Sequence, residues 1–333
     1  MSAYQLHQRQ GTLKGMFTFK WIIRELEELL YRLIIVPLVA FLPAPIAYGV
    51  ARLRGDWCYR LDASERERIM RNLKGVLGDQ LSPAERAQVA RDYIRRRSCQ
   101  AIDMMRLAGR GRALARLIEL RGLEHIEAAR AVGKGAIICS AHFGLYSGSF
   151  SLLGALAFPV TTVGNWRSID DTSMSTIQRH LWRFLHEKRV GRHRRPNIEP
   201  AKERFGTAIR MVEILRSNEL ITMAVETPLP AEDRARAIPV DFLGHQMLVL
   251  TGAVSVAQLT GAQLLVMIVR RSKDWRHQIM EISPPIPLDG DTGMTVKRCM
   301  AMLEPPIRQN LAHWDFWGST QNLVDLGLLP AQE

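Results

Sequence analysis

The pattern of hydrophobic and polar residues changes near residue 134. Before this point, charged segments carry apolar residues at helical spacing; after it, short apolar runs alternate with segments of helical spacing. The apolar runs cover residues 136–141, 159–164, 220–225 and 262–270, and the helical segments cover 171–189, 201–217 and 251–260. This alternation predicts βαβ units, and therefore an α/β fold with a mixed, largely parallel sheet flanked by helices.

One predicted helix has clear signals at both ends. Ser82 is a typical N-cap, Pro83 suits the first helical position, and Glu85 stands where a capping box needs an acid. Gly109 is a typical stop. These signals predict a helix over residues 83–109.

The N-terminal region contains an uncharged run from Leu33 to Ala51. Its length is close to the roughly 20 apolar residues that cross a bilayer, but three prolines argue against one straight spanning helix. Two interpretations stay open: buried helices joined by a proline-rich turn, or a membrane-embedded or interfacial hairpin. No cleavable signal peptide is apparent.

The same patterns predict two parts of the chain. Residues 1–55 form a helical, membrane-associating segment, and residues 56–333 form one α/β domain. Within that domain we expect a helical region over 56–130, the sheet core over 131–290 and a C-terminal extension over 291–333.

The charge balance indicates an anionic partner. The chain has 45 Lys and Arg against 33 Asp and Glu, a formal net charge of +12, which suits nucleic acid, an anionic membrane or a phosphorylated or carrier-bound substrate. The basic, aromatic-containing segment 178–196 suits either a lipid headgroup surface or RNA or single-stranded DNA, and a solvated helix face and loop without a binding role is the alternative. Because no nucleic-acid-binding module accompanies it, we predict a membrane partner and no nucleic acid.

Metal and nucleotide chemistry have little support. The four cysteines are widely spaced without a C-x-x-C pair, which indicates neither a zinc site nor a disulfide framework. No Walker loop, dinucleotide fingerprint or H-E-x-x-H motif is present. We therefore expect no metal and no bound cofactor.

The strongest chemical signal is a histidine at a predicted strand end. In GAIICSAHFGLYSGSF, residues 135–150, His142 follows an apolar run, and Gly144 stands two residues after His142. Glu226 ends another apolar run. If both strands are parallel, the two side chains leave the same edge of the sheet, where such folds bind ligands. A carboxylate there could orient a general base. A histidine without a chemical role is the alternative.

Four segments, in this order and spacing, resemble a known family. They are SAHFGLYS at 140–147, VGNWR at 163–167, AVETP at 224–228, and the stretch from VDFLGH to VMIVRR at 240–271. They resemble the lysophospholipid acyltransferase superfamily, in particular its bacterial lipid A biosynthesis acyltransferase branch. The resemblance extends over roughly residues 20–310.

This resemblance implies a membrane-associated acyltransferase at the cytoplasmic face of the bacterial inner membrane. It would move a fatty acyl group from acyl carrier protein or coenzyme A to a lipid or another anionic or amine acceptor. His142 would be the general base, Glu226 a catalytic acid group, and Gly144, Ser147 and Arg167 would bind substrate. Backbone N–H groups after Phe143 and Gly144 would bind the oxyanion, and the Arg167 guanidinium would hold a phosphate or phosphopantetheine group. A surface ion pair is the alternative for Arg167.

One position departs from the family motif. The family has an acid after four intervening residues, H-x-x-x-x-D/E, where this chain has Ser147. A serine cannot supply a negative charge. Three explanations stay open: Glu226 orients His142 instead, the acceptor needs only a weaker base, or the chain has lost catalysis and binds lipid or acyl carrier without transfer.

Overall fold

A six-stranded, mostly parallel sheet forms the centre of the protein. The computed structural model describes residues 26–27, 29–109, 118–164, 180, 184, 197–200, 206–229 and 231–330. The strands are β1 (Ile118–Arg121), β2 (Ala136–Ser140), β3 (Val160–Val163), β4 (Leu220–Ala224), β5 (Ala237–Phe242), β6 (His245–Leu250), β7 (Gln263–Arg271) and β8 (Gln278–Ile282). The sheet order is β1-β8-β7-β2-β4-β3, with β5 and β6 forming a separate antiparallel hairpin. Among the strands in the described part of the chain, β7 and β8 are the one antiparallel pair of the large sheet.

Helices cover both faces of this sheet. The α-helices are α1 (Val36–Ala40), α2 (Ala44–Leu61), α3 (Ala63–Leu77), α4 (Pro83–Gly109), α5 (Leu123–Ala131), α6 (Tyr146–Ala155), α7 (Gly206–Arg216), α8 (Gly252–Thr260), α9 (Thr292–Gln309) and α10 (Thr320–Asp325). Alternate residues of β2 face opposite cores: Ile137 and Cys139 pack with α7, α8 and α9, whereas Ala136 and Ile138 pack with α5 and α6. The predicted α/β fold is confirmed.

Strands β2 and β4 end side by side. They pair in parallel with Ser140 opposite Ala224, and the N–H of Val225 donates to the Ser140 carbonyl at 3.0 Å. Every residue of β2 is buried, as expected for a parallel strand covered by helices on both faces. His142 and Glu226, each two residues past its strand, therefore leave the sheet at the same edge.

Helix α4 begins with the predicted capping box. The backbone N–H of Ser82 donates to the Glu85 carboxylate at 2.8 Å, and the N–H of Glu85 lies 3.3 Å from Ser82 Oγ. These reciprocal bonds satisfy donors that the first helical turn leaves open. The prediction of a helix over residues 83–109 is confirmed.

The N-terminal helices α1 and α2 pack on α4 with one face and expose the other. A break at residues 41–43 separates the two helices, so the proline-containing run forms a pair of helices. Tyr48 and Ala51 of α2 are buried against Ile102 of α4. The exposed apolar face consists of Leu38, Phe41, Leu42, Ile46, Val50, Leu53, Trp57 and Leu61. No helix in the described ranges is both long and apolar enough to span a bilayer.

The strand predictions are confirmed at all four apolar runs, and one feature differs from the prediction. Strand β1 lies within the region 56–130 that was predicted to be helical. The sequence pattern did not reveal this strand, because its four residues are too few to show strand alternation. Helix α7 is described from Gly206 to Arg216, within the predicted helix 201–217, and residues 201–205 lie outside the described residues. The predicted helix 171–189 and the basic segment 178–196 lie outside the described residues, apart from His180 and Phe184.

Candidate active site

His142 and Glu226 meet at the edge where β2 and β4 end. The imidazole Nδ1 lies 3.3 Å from Glu226 Oε1, and the same oxygen accepts a hydrogen bond from the His142 backbone N–H. Glu226 is only 1% exposed, whereas the His142 side chain is 27% exposed. The pair therefore has a buried acid behind a base that reaches the surface.

The electrostatics of this pair favour the protonated imidazole. Burial is the largest single effect and lowers the pKa of His142, but the charge and hydrogen bonding of Glu226 and the charge of Asp315 together raise it more, so the pKa lies above its usual value. Nδ1 lies at ion-pair distance from the carboxylate without hydrogen-bond alignment, so the interaction is mainly one of charge. A carboxylate beside Nδ1 also favours the tautomer that leaves the Nε2 lone pair free.

Two aromatic rings hold the imidazole in place. The Tyr146 ring, at the start of α6, has its centroid 4.7 Å from that of His142, and the Phe316 ring has its centroid 4.8 Å away. Both rings are tilted relative to the imidazole. Their contacts restrict rotation of the histidine side chain.

Gly144 has a structural reason to be glycine. Its φ is +63°, and a Cβ at this position would collide with the Val269 carbonyl. Its N–H donates to the His313 carbonyl at 2.8 Å. This donor is therefore already engaged, and the expectation that the Gly144 N–H binds an oxyanion is not supported by this arrangement.

The other two predicted substrate-binding residues cannot be placed against the pair. Ser147 is the second residue of α6, and its side chain lies outside what the structure describes. Arg167 lies outside the described residues altogether. Their roles stay predictions.

The site includes C-terminal residues that the sequence interpretation did not assign. The indole Nε1 of Trp314 lies 3.3 Å from Glu226 Oε1, and Phe316 contacts His142. The aromatic-rich stretch HWDFWG at 313–318 was visible in the sequence. Nothing in its spacing, however, links it to a strand end more than 80 residues earlier in the chain.

The chemistry available at the site is that of a general base. A histidine backed by a buried carboxylate can accept a proton and stabilise the resulting imidazolium. Within the described ranges, no group of three or more His, Cys, Asp or Glu residues is arranged to hold a metal ion.

Comparison with known proteins yields one family. The sequence model for the family described as bacterial lipid A biosynthesis acyltransferase matches residues 16–317. A search of curated proteins finds no match.

Proposed function

Because this chain belongs to the bacterial lipid A biosynthesis acyltransferase family, we propose that it transfers a fatty acyl group from a carrier thioester to a lipid or another anionic or amine acceptor. The donor is acyl carrier protein or coenzyme A carrying the acyl chain. Membership supports acyltransferase activity in general. The observation that carries the specific proposal is the contact of His142 with the buried Glu226 at the shared strand edge.

In this reaction His142 acts as the general base. Its Nε2 takes the proton from the acceptor oxygen or nitrogen while that atom attacks the thioester carbonyl. The tetrahedral intermediate then collapses, the carbon–sulfur bond breaks, and the imidazolium returns the proton to the leaving thiolate. Proton transfer of this kind contributes about 10²–10⁴ in rate.

Glu226 supplies the negative charge that Ser147 cannot supply. Its Oε1 lies beside Nδ1, where a carboxylate stabilises the imidazolium that forms as the acceptor loses its proton. This placement favours the first of the three explanations for the variant motif. The alternative function is binding of lipid or acyl carrier without acyl transfer, and the experiments below distinguish it from catalysis.

We also propose that the N-terminal helices dock on an anionic membrane, at the cytoplasmic face of the bacterial inner membrane. Ile46, Val50, Leu53, Trp57 and Leu61 are spaced by three or four residues, so they lie along one face of α2. Leu53 is 70% and Trp57 60% exposed. An apolar face of this kind on a chain with net charge +12 suits insertion among anionic headgroups.

The function is tested by lipid analysis of a strain lacking this chain. Complementation with the wild-type chain should restore every acylated lipid or metabolite that the strain has lost, and His142→Ala should restore none. His277→Ala is the matched control, since this histidine lies at the surface near Glu119, and it should restore them all. Full restoration by His142→Ala would contradict the proposal.

A further inference from the structure

The C-terminal segment 312–316 lies against the chain that follows β2. The N–H of Asp315 donates to the His142 carbonyl at 2.8 Å, and the N–H of Gly144 donates to the His313 carbonyl at 2.8 Å. The two stretches thus pair as a short antiparallel bridge. The backbone on both sides of His142 is tied to the C-terminal segment.

One buried guanidinium holds this pairing in place. Arg96 of α4 donates from Nε to the Ala312 carbonyl at 2.9 Å and from a terminal nitrogen to the Gly144 carbonyl at 3.2 Å. It also forms an ion pair with Asp315. Because one side chain binds both stretches, the C-terminal segment has a defined position at the site.

Within this segment Trp314 contacts the carboxylate of Glu226. Its indole Nε1 lies 3.3 Å from Glu226 Oε1, the oxygen that also accepts the His142 backbone N–H. Among the described residues, the other oxygen of Glu226 has no hydrogen-bond partner. The orientation of this buried carboxylate therefore depends on the donors that meet Oε1.

We propose that Trp314 is a positioning residue whose indole N–H holds the Glu226 carboxylate in the orientation that places Oε1 beside His142. This inference rests on the proposed function. The indole has one N–H and can donate along one direction only. Its ring is fixed by edge contacts with Phe316 and Trp317, at centroid distances of 5.3 and 5.0 Å, so the direction of that N–H is set by packing.

Trp314→Phe tests the role because it keeps an aromatic ring and removes the N–H. We expect kcat to fall about 10- to 100-fold, the range for loss of one hydrogen bond to a charged group, with KM for donor and acceptor little changed. The matched control is Trp275→Phe, which makes the same change at a tryptophan outside this cluster, whose ring centroid lies 5.4 Å from the Arg52 guanidinium. It should keep the wild-type kcat.

The pH profile separates positioning from general loss of stability. In the described part of the chain, the titratable groups that face His142 are Glu226, Asp315 and Tyr146, and Asp315 is paired with Arg96. Burial lowers the pKa of His142 and the Glu226 charge raises it, so a displaced carboxylate should move the acid limb of the kcat profile to lower pH. A purely structural defect would leave that limb in place.

A double variant completes the test. Adding Trp314→Phe to Glu226→Gln should cause no further loss of kcat, because both changes act on the same contact. If Trp314→Phe does not fold, benzothienylalanine at position 314 keeps the ring shape without the N–H and should give the same loss. A wild-type kcat and pH profile, or losses that add, would overturn the inference. The proposed function would survive that result, because its own test is the inactivity of His142→Ala.

Discussion

Replacement of Glu226 by glutamine removes the negative charge behind His142 and changes little else in shape. Glutamine keeps one oxygen that can accept the N–H groups of His142 and Trp314. Its amide group would stand near the position of Oε2, which is buried and has no hydrogen-bond partner among the described residues. The substitution therefore tests the charge, together with the cost of a buried unpaired donor.

The size of the effect follows from the geometry. Two unit charges 3.3 Å apart attract by about 5 kcal/mol at the effective dielectric constant of about 20 that suits protein sites. Burial of the two charges offsets part of this attraction, so the calculated attraction is an upper limit on the effect of the charge. A loss of about 10²–10⁴ in kcat corresponds to about 3–5 kcal/mol of activation free energy. The expected loss lies within that limit.

The assay measures acyl transfer from acyl carrier protein or acyl coenzyme A into a total lipid extract, from about pH 5 to about pH 9, where histidine titrates. In the wild-type protein, activity should fall on the acid side as His142 becomes protonated, at a pH above the usual histidine pKa. In Glu226→Gln the remaining activity should persist to lower pH, because burial lowers the pKa of His142 once the charge is gone. An unchanged kcat and an unchanged acid limb would refute the charge-partner role.

Three further predictions concern other residues. Ser147→Ala should lower kcat in the same assay by less than about tenfold, far less than Glu226→Gln, if Glu226 supplies the charge; an equal loss would return the orienting role to position 147. Leu53→Gln combined with Trp57→Gln should weaken co-sedimentation with vesicles of anionic phospholipid, whereas Leu259→Gln, at a residue 77% exposed on α8, should not; equal binding of the two proteins would argue against the docking face. Asp103→Asn should lower the free energy of unfolding by about 3–5 kcal/mol in urea titrations, because it leaves the buried guanidinium of Arg271 without its counter-charge. A change below about 1 kcal/mol would contradict a stabilising role of the Asp103–Arg271 ion pair.

The parallel sheet could be predicted because its strands are short apolar runs with clear boundaries. The fully buried strand β2 is apolar except for Ser140 at its end, and the segments between the strands have helical spacing. The sequence even indicated the site, because residues two positions past adjacent parallel strands share an edge. His142 and Glu226 meet for that reason.

Contacts that depend on tertiary packing could not be predicted in this way. Trp314 approaches Glu226 in a C-terminal segment that Arg96 and backbone hydrogen bonds tie to the loop after β2, and no periodicity encodes such a link. The engaged N–H of Gly144 is a second example. A glycine at position 144 indicates a turn, but the carbonyl that accepts the Gly144 N–H belongs to His313, far along the chain.

The most direct test of the central claim is acyl transfer by the purified His142→Ala protein. Thiol release from the acyl donor and acyl incorporation into lipid should be measured together, with His277→Ala as control. We expect wild-type and His277→Ala proteins to release one thiol for each acyl group transferred, and His142→Ala to be slower by about 10²-fold or more. Transfer by His142→Ala at the wild-type rate would contradict the assignment of His142 as the general base.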